Sequence, residues 1–422
     1  MAAHLPSYCD SSTPLPKYCF YASVDEQSLQ GTSSDGFSLP CSSSLFVKKS
    51  GKATVSLSGQ CERASIPTYG RGGLISGSIS LESPGSVLEV VAIVEGKIQS
   101  SFADVGSGSV QLFKEQYPLY DHSTTTSEFP GSVSFDFVLP SSFRHGDEDV
   151  ALPPSYNGHF IDAPTVSANV VYRLEFVIAR SGMLRTKKHV VQPFRYYPRR
   201  RAPLPILSRP SPFSSIKATP EEWYQAVTQV KTRADVQIDP DAVHCHLFVP
   251  ASRIYAMSDV IPFYVQLGGF LCVLQDILLA CENGCTPVNF DSGSEANYNS
   301  QPIVRSLLQV HIIRRLTVSV RGNKCSRNKI LATAVISPTP PDASECCSDM
   351  RNCLRGYVNY EGELRLPSQE AGSFKVANVQ VEDFIQLTLL PQKDRRSPLL
   401  GLNLMVPVRL VTDSAHAHEV AA

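Results

Sequence analysis

The stretch Leu152-Pro153-Pro154-Ser155-Tyr156-Asn157-Gly158 precedes a long alternation of apolar and polar residues, with apolar side chains at Val170, Tyr172, Leu174, Phe176 and Ile178. An apolar residue at every second position predicts a β-strand with one buried face. The second half of the chain holds a looser copy: Leu366-Pro367-Ser368 and Gly372-Ser373-Phe374, followed by Ile385, Leu387 and Leu389. A Pro-containing strand pattern follows each copy. The repeat predicts two β-sandwich domains of common design.

The composition also favours an all-β chain. The 422 residues include 31 Pro and 25 Gly, and only 18% are charged. Many turn-forming residues between short apolar segments are typical of all-β folds. A chain of this length is expected to form about two or three domains. We therefore predict an all-β fold of two tandem immunoglobulin-like β-sandwich domains, joined by a linker with one short helix.

Changes in composition along the chain set the predicted boundaries. The linker helix is expected to begin at Thr219-Pro220-Glu221-Glu222, where Thr is a preferred N-cap and Pro a preferred first helical residue, and to continue to about Lys231. The start of the chain is rich in Ser, Pro and Tyr without a sustained apolar period, which is typical of a flexible tail. The predicted segments are a flexible tail at 1–48, the first sandwich at 49–202, the linker at 203–240, the second sandwich at 241–413 and a short tail at 414–422.

Charge and hydropathy argue against several classes of partner and location. The formal net charge is -1, so no overall field favours nucleic acid or a membrane surface. The longest apolar run, residues 263–280, is interrupted by polar residues and glycines and is not predicted to span a membrane. The N-terminus lacks the basic and apolar regions of a secretory signal, so we expect a cytoplasmic protein with reduced cysteines.

The sequence offers no motif for catalysis or metal binding. The H-E-x-x-H, G-x-S-x-G, P-loop and G-x-G-x-x-G patterns do not occur. The cysteines at 281–285 and 346–353 lack the two spaced pairs of a zinc site. His244 and His246 share one face of a predicted strand, and we interpret them as strand-edge residues. We predict no cofactor and a protein that is not an enzyme.

The order and spacing of these patterns, from about residue 50 to residue 412, resemble the fungal arrestin-like proteins of the α-arrestin group. The resemblance implies an elongated all-β cytosolic adaptor that links membrane cargo, transporters or receptors, to ubiquitination and endocytosis, peripherally at the plasma membrane or endosomes. A second interpretation is a structural sorting subunit similar to retromer's arrestin-fold component, without ligase contact. The matching stretches are Gly73 to Ile79, Leu152 to Tyr156, Val170 to Leu174, Pro193 to Arg199, Ser258 to Phe263, Gly372 to Phe374 and Val406 to Val408.

Adaptors of this family usually recruit HECT-type ubiquitin ligases through Pro-x-Tyr motifs that bind WW domains. An extended Pro-rich segment loses little entropy on such binding. Two candidates lie in the predicted tail, Leu5-Pro6-Ser7-Tyr8 and Leu15-Pro16-Lys17-Tyr18, and two weak sites on one tether would raise avidity. The third, Pro153-Pro154-Ser155-Tyr156, is closer to the Pro-Pro-x-Tyr pattern. The family places a structural turn there, however, so we expect Tyr156 to pack on the sandwich.

Two further sets of charged residues stand out. Arg199-Arg200-Arg201 could contact anionic lipid or an acidic partner, but membrane-active clusters usually hold about four to eight charges, so we interpret the run as a solvated connector. Arg314 and Asp383 each interrupt an apolar strand face. Because a buried charge needs a partner, we predict a structural Arg314–Asp383 pair across the second sandwich.

Overall fold

The regular structure of the chain is almost entirely β. Among the described residues, 216–218 and 274 are helical, and short 3-10 turns occur at Pro84–Ser86 and Pro220–Glu222. Within the described residues, no helix has both the length and the apolar character needed to cross a bilayer. The computed structural model describes residues 44–61, 64–124, 127–161, 164–181, 186–206, 216–231, 243–270, 274, 308–339, 355–366, 371–389 and 400–415.

The first unit contains two main sheets and a separate hairpin. Its strands are β1 (Ser44–Ser50), β2 (Ala53–Gln60), β3 (Thr68–Tyr69), β4 (Leu74–Leu81), β5 (Val87–Phe102), β6 (Gly106–Asp121), β7 (Ser132–Val138), β8 (Ser142–His145), β9 (Glu148–Ala151), β10 (Tyr156–Phe160), β11 (Val166–Arg180) and β12 (Thr186–Tyr196). One sheet has the order β1-β2-β4-β7. The other has the order β3-β12-β11-β5-β6, with β10 added to β11 and β3 parallel to β12. The hairpin consists of β8 and β9.

The second unit repeats this arrangement. Its strands are β13 (Trp223–Val230), β14 (Val243–Pro250), β15 (Ile254–Ala256), β16 (Val260–Phe270), β17 (Leu308–Val320), β18 (Asn323–Thr333), β19 (Val335–Thr339), β20 (Arg355–Arg365), β21 (Phe374–Val376), β22 (Val379–Leu389) and β23 (Leu402–Val411). One sheet runs β13-β14-β16-β20-β19 and the other β15-β23-β22-β17-β18, with β21 added to β22. As β3 does with β12, β15 pairs in parallel with β23. The sequence repeat therefore corresponds to a repeated sheet.

Strand β11 shows how the alternating pattern builds the first unit. Every second residue from Val166 to Ile178 is buried, and the strand pairs with β5 on one side and β12 on the other. The buried face meets the four-stranded sheet, where the rings of Phe135 and Phe176 lie 5.2 Å apart. Each fully buried large apolar side chain contributes about 1.5–3 kcal/mol. The alternation therefore forms the inner face of a sandwich-like unit.

The two units share apolar side chains where they meet. Strands β17 and β22 each contribute buried side chains to both cores. Arg314 and Asp383 lie at the changeover, the position on each strand where the buried residues pass from one core to the other. The changeover is visible in the order of the buried residues. Leu308, Val310 and Ile312 on β17, and Ile385, Leu387 and Leu389 on β22, belong to the core of the second unit, whereas Leu316, Val318 and Val320, with Val379 and Val381, belong to the core of the first.

The predicted linker helix from Thr219 to about Lys231 is wrong. Pro220–Glu222 forms a single 3-10 turn, and the next eight residues form β13, antiparallel to β14 along its whole length. The side chain of Thr219 donates to Glu222 at 3.0 Å and caps no backbone N–H group. A short helix is marginal without tertiary contacts. Pairing with β14, together with the burial of Ala226 and Val230 in the second core, favours the strand.

Two predicted boundaries also differ from the observed strands. Strand β1 starts at Ser44, inside the segment predicted as a flexible tail at 1–48, and β13 lies inside the predicted linker at 203–240. Both are edge strands, and β1 exposes most of its residues. Because few of its side chains are buried, β1 carries little apolar periodicity from which it could be recognised.

Candidate functional site

The structure brings Arg314 and Asp383 together on neighbouring strands. The two residues lie directly opposite each other on β17 and β22. The guanidinium donates twice to the carboxylate, from Nε to Oδ1 at 2.8 Å and from Nη2 to Oδ2 at 3.0 Å, and each side chain is about 1% exposed or less. The prediction that the pair crosses the sandwich is wrong in one respect, because both strands belong to one sheet. The pair fixes the register of two strands that serve both cores.

A hydrogen-bonded serine extends this buried pair. The hydroxyl of Ser373 donates to Asp383 Oδ2 at 2.6 Å and accepts the backbone N–H of Leu410 at 3.0 Å. Ser373 immediately precedes β21, and Leu410 lies on β23. A buried ion pair is tolerated only when its remaining polar atoms are also satisfied. The serine meets part of this need and ties the pair to two further strands.

The Pro153-Pro154-Ser155-Tyr156 motif is part of the fold. Tyr156 begins β10, is only 9% exposed and packs edge-to-face against Phe374 of the second unit, with ring centroids 5.5 Å apart. The hydroxyl of Tyr172 donates to the carbonyl of Pro153 at 2.6 Å. The backbone N–H of Ser155 donates to the carbonyl of Tyr196 at 2.9 Å. A WW domain binds an accessible extended peptide, so Tyr156 is not available to one in this conformation.

The two other Pro-x-Tyr candidates lie outside the described residues. These are Leu5, Pro6 and Tyr8, and Leu15, Pro16 and Tyr18, all within residues 1–43. They stay a prediction. The cysteine clusters at 281–285 and 346–353 also lie outside the described residues.

The basic run Arg199-Arg200-Arg201 is held against the end of β23. The Nε of Arg199 donates to both carboxylate oxygens of Asp413 at 3.1 Å, and Arg201 forms an isolated parallel β-bridge with Asp413. The backbone N–H of Arg200 donates to the hydroxyl of Thr412 at 2.7 Å, and that hydroxyl donates to the Arg200 carbonyl at 3.0 Å. The connector is therefore hydrogen-bonded to the second unit, while Arg199, Arg200 and Arg201 all remain exposed to solvent.

A groove of about 420 Å³ lies beside this connector, between the two units. The first unit supplies one side through Leu152-Pro153-Pro154 and the end through Tyr197, Pro198 and Arg200. The second unit supplies the rest from residues in and beside β21, β22 and β23, including Arg409. Sequence reasoning missed Arg409, because one exposed arginine on an alternating strand carries no signal of what it faces.

His244 and His246 lie on the half-buried outer face of β14. The Nδ1 of His246 is 2.7 Å from the side-chain amide of Gln225, and burial together with the nearby His244 lowers the pKa of His246. Among the described residues, no cluster of three or more His, Cys, Asp or Glu side chains could hold a metal ion.

Sequence comparison with known proteins does not identify a family for this chain. No protein-family model matches the sequence, and the search of curated proteins finds no match either.

Proposed function

We propose that this chain is an arrestin-like cytosolic adaptor that links membrane cargo, a transporter or receptor, to a ubiquitin ligase and to endocytosis or sorting. The observation that carries the proposal is the pair of units with one repeated sheet order, joined through the residues of β17 and β22 that enter both cores. Such a joint holds two broad sheet surfaces in a fixed relation, which suits a protein that contacts two partners at once. An immunoglobulin-like, arrestin-type sandwich in each unit is part of this proposal, as is peripheral association with the plasma membrane or endosomes.

The ligase contact is assigned to the tail. The hydrogen bonds and burial of Pro153 to Tyr156 commit that segment to the fold, so the tail motifs ending at Tyr8 and Tyr18 would bind the WW domains of a HECT-type ligase. Each tail motif lacks the first Pro of the Pro-Pro-x-Tyr pattern. Two weak sites on one tether gain apparent affinity through effective concentration when the partner carries several WW domains.

A retromer-type sorting subunit without ligase contact is the second candidate. It is favoured by one observation: the motif that best matches the WW-binding pattern is the one whose tyrosine is buried. In that case the units serve as a structural component, and the tail motifs have no ligase partner.

Binding of the full-length chain to a tandem WW-domain protein separates the two candidates. The adaptor proposal expects binding that weakens at least tenfold in the Tyr8→Ala/Tyr18→Ala double variant, since each tyrosine fills a pocket of its WW domain. The matched control is Tyr21→Ala, a tail tyrosine without a proline two residues before it. Isothermal titration calorimetry measures the affinities. Absence of binding, or binding indifferent to both substitutions, supports the sorting-subunit candidate.

A further inference from the structure

The groove between the units has the size and the walls of a small-ligand site. Its volume of about 420 Å³ falls within the roughly 300–1,000 Å³ typical of ligand pockets. Apolar groups dominate its lining, among them Pro154, Tyr197, Phe374, Phe384 and Val408. An apolar concavity of this size retains poorly bound water, and displacing that water favours binding of a hydrocarbon group.

Cations predominate at the same groove. Arg200 enters from the connector, Arg409 from β23 and Lys375 from β21. Of the two carboxylates that line it, Asp383 is committed to Arg314 and Ser373, which leaves Glu382 to face the three cations. In the described part of the chain, neither the Arg200 nor the Arg409 guanidinium has an ion-pair partner.

Arg409 also lies close enough to disfavour the charge of Arg200. Burial lowers the pKa of Arg200, and the neighbouring charges of Arg409 and Arg71 lower it further. Like charges held close together raise the energy of the site, and an anionic group placed between them relieves that repulsion. A guanidinium matches the geometry of a carboxylate or phosphate head group.

The backbone that carries these arginines is already fixed. Thr412 holds Arg200 by two hydrogen bonds, and the backbone N–H of Asp413 donates to the Arg200 carbonyl at 2.9 Å. The backbone N–H of Arg409 donates to the carbonyl of Arg253 at 2.8 Å. A ligand would therefore order only the side chains, and the small entropic cost favours binding.

We propose that this groove binds a single-chain amphiphile with an anionic head, a fatty carboxylate or a fatty-alkyl phosphate. Arg200 and Arg409 contact the head group, and the hydrocarbon chain lies on the apolar lining. A bare inorganic anion would leave the apolar surface uncovered, and a neutral amphiphile would leave the two charges uncompensated. The proposal is independent of the adaptor function, because none of its residues lies in the tail motifs.

Calorimetric titration of the full-length chain below the micellar concentration tests the proposal. Decanoate and decyl phosphate are the probes, with neutral decyl maltoside and inorganic phosphate as comparison ligands. We expect one decanoate or decyl phosphate per chain, and binding at least tenfold weaker for the comparison ligands. Arg200→Gln and Arg409→Gln each weaken binding of the probes about tenfold, as expected for loss of a charge-assisted hydrogen bond. A preference for one probe over the other supports the proposal and identifies the head group.

Two further variants complete the design. Arg365→Gln is the matched control, an arginine on β20 that does not line the groove, and it leaves binding unchanged. Ala151→Trp fills the groove from an exposed position on β9 and abolishes binding without changing the charge. Thermal unfolding checks that each variant is folded. Binding insensitive to both arginine substitutions, equal binding of the maltoside, or equal binding of inorganic phosphate would overturn the proposal.

Discussion

Removing one partner of the Arg314–Asp383 pair should destabilise the chain strongly. In Asp383→Ala, a guanidinium about 1% exposed loses two charge-assisted hydrogen bonds, and the Ser373 hydroxyl loses its acceptor. Breaking a buried pair in this way costs about 3–5 kcal/mol, because the remaining charge stays buried after its carboxylate partner is removed. A loss near 4 kcal/mol is a large fraction of the stability of a typical domain, about 5–15 kcal/mol.

Replacing both partners tests whether the loss comes from the uncompensated charge. In Arg314→Met/Asp383→Leu, two apolar side chains of similar size face each other between the two cores. Replacement of a buried ion pair by apolar residues is often neutral or stabilising by about 1–4 kcal/mol. We therefore expect the double variant to be more stable than either Arg314→Met or Asp383→Leu alone, a non-additivity of several kcal/mol.

Equilibrium unfolding in urea, followed by far-ultraviolet circular dichroism, measures each corner of this cycle. The matched control is Arg365→Met, because Arg365 pairs with Glu363 at the surface, where ion pairs contribute about 0–1 kcal/mol. The reasoning is refuted if either single variant loses less than about 1 kcal/mol, or if the two single losses simply add in the double variant.

Two other predictions follow from burial. Tyr156→Ala should lower the free energy of unfolding by about 3 kcal/mol, because it empties a core position against Phe374. The control Tyr357→Ala removes a side chain that is 64% exposed and should lower it by less than about 1 kcal/mol. Equal losses for the two variants in urea unfolding would contradict this prediction. Burial raises the pKa of the Cys245 thiol to about 12, so at pH 8 it should resist a maleimide that modifies exposed Cys61. Peptide mass spectrometry measures both rates, and rapid modification of Cys245 in the folded chain would disprove its burial.

The parts of the fold that were predictable carry a strict pattern. Strand β11 alternates without interruption because one face is fully buried and both edges are paired, so its residues record a period of two. The Arg314–Asp383 pair could be predicted for a related reason, since a charge on an otherwise apolar strand face needs a partner. The sequence could not show that β17 and β22 are neighbours in one sheet, because pairing between residues 69 positions apart depends on the whole topology.

The parts that were not predictable depend on tertiary contacts. Strand β6 reads as Gly- and Ser-rich and polar because it is an edge strand with few buried residues. Strand β13 follows residues typical of a helix start, but these residues form only one 3-10 turn. The next residues pair with β14, and this pairing stabilises a strand in place of the predicted helix. The groove brings together Pro154, Arg200 and Arg409 from distant parts of the chain, and no local pattern records that meeting.

The residues that β17 and β22 contribute to the first core affect the order in which the chain can fold during synthesis. A chain emerging from the ribosome exposes residues 44–196 first, yet Leu316, Val318, Val379 and Val381, which belong to that core, are still to be translated. Domains generally fold as units in the order of synthesis, but here the earlier unit acquires its last buried side chains only after β22 has been made. We expect nascent or truncated chains that end before residue 379 to have an incomplete first core with exposed apolar, aggregation-prone surface. Such chains should depend on chaperones until translation passes that point.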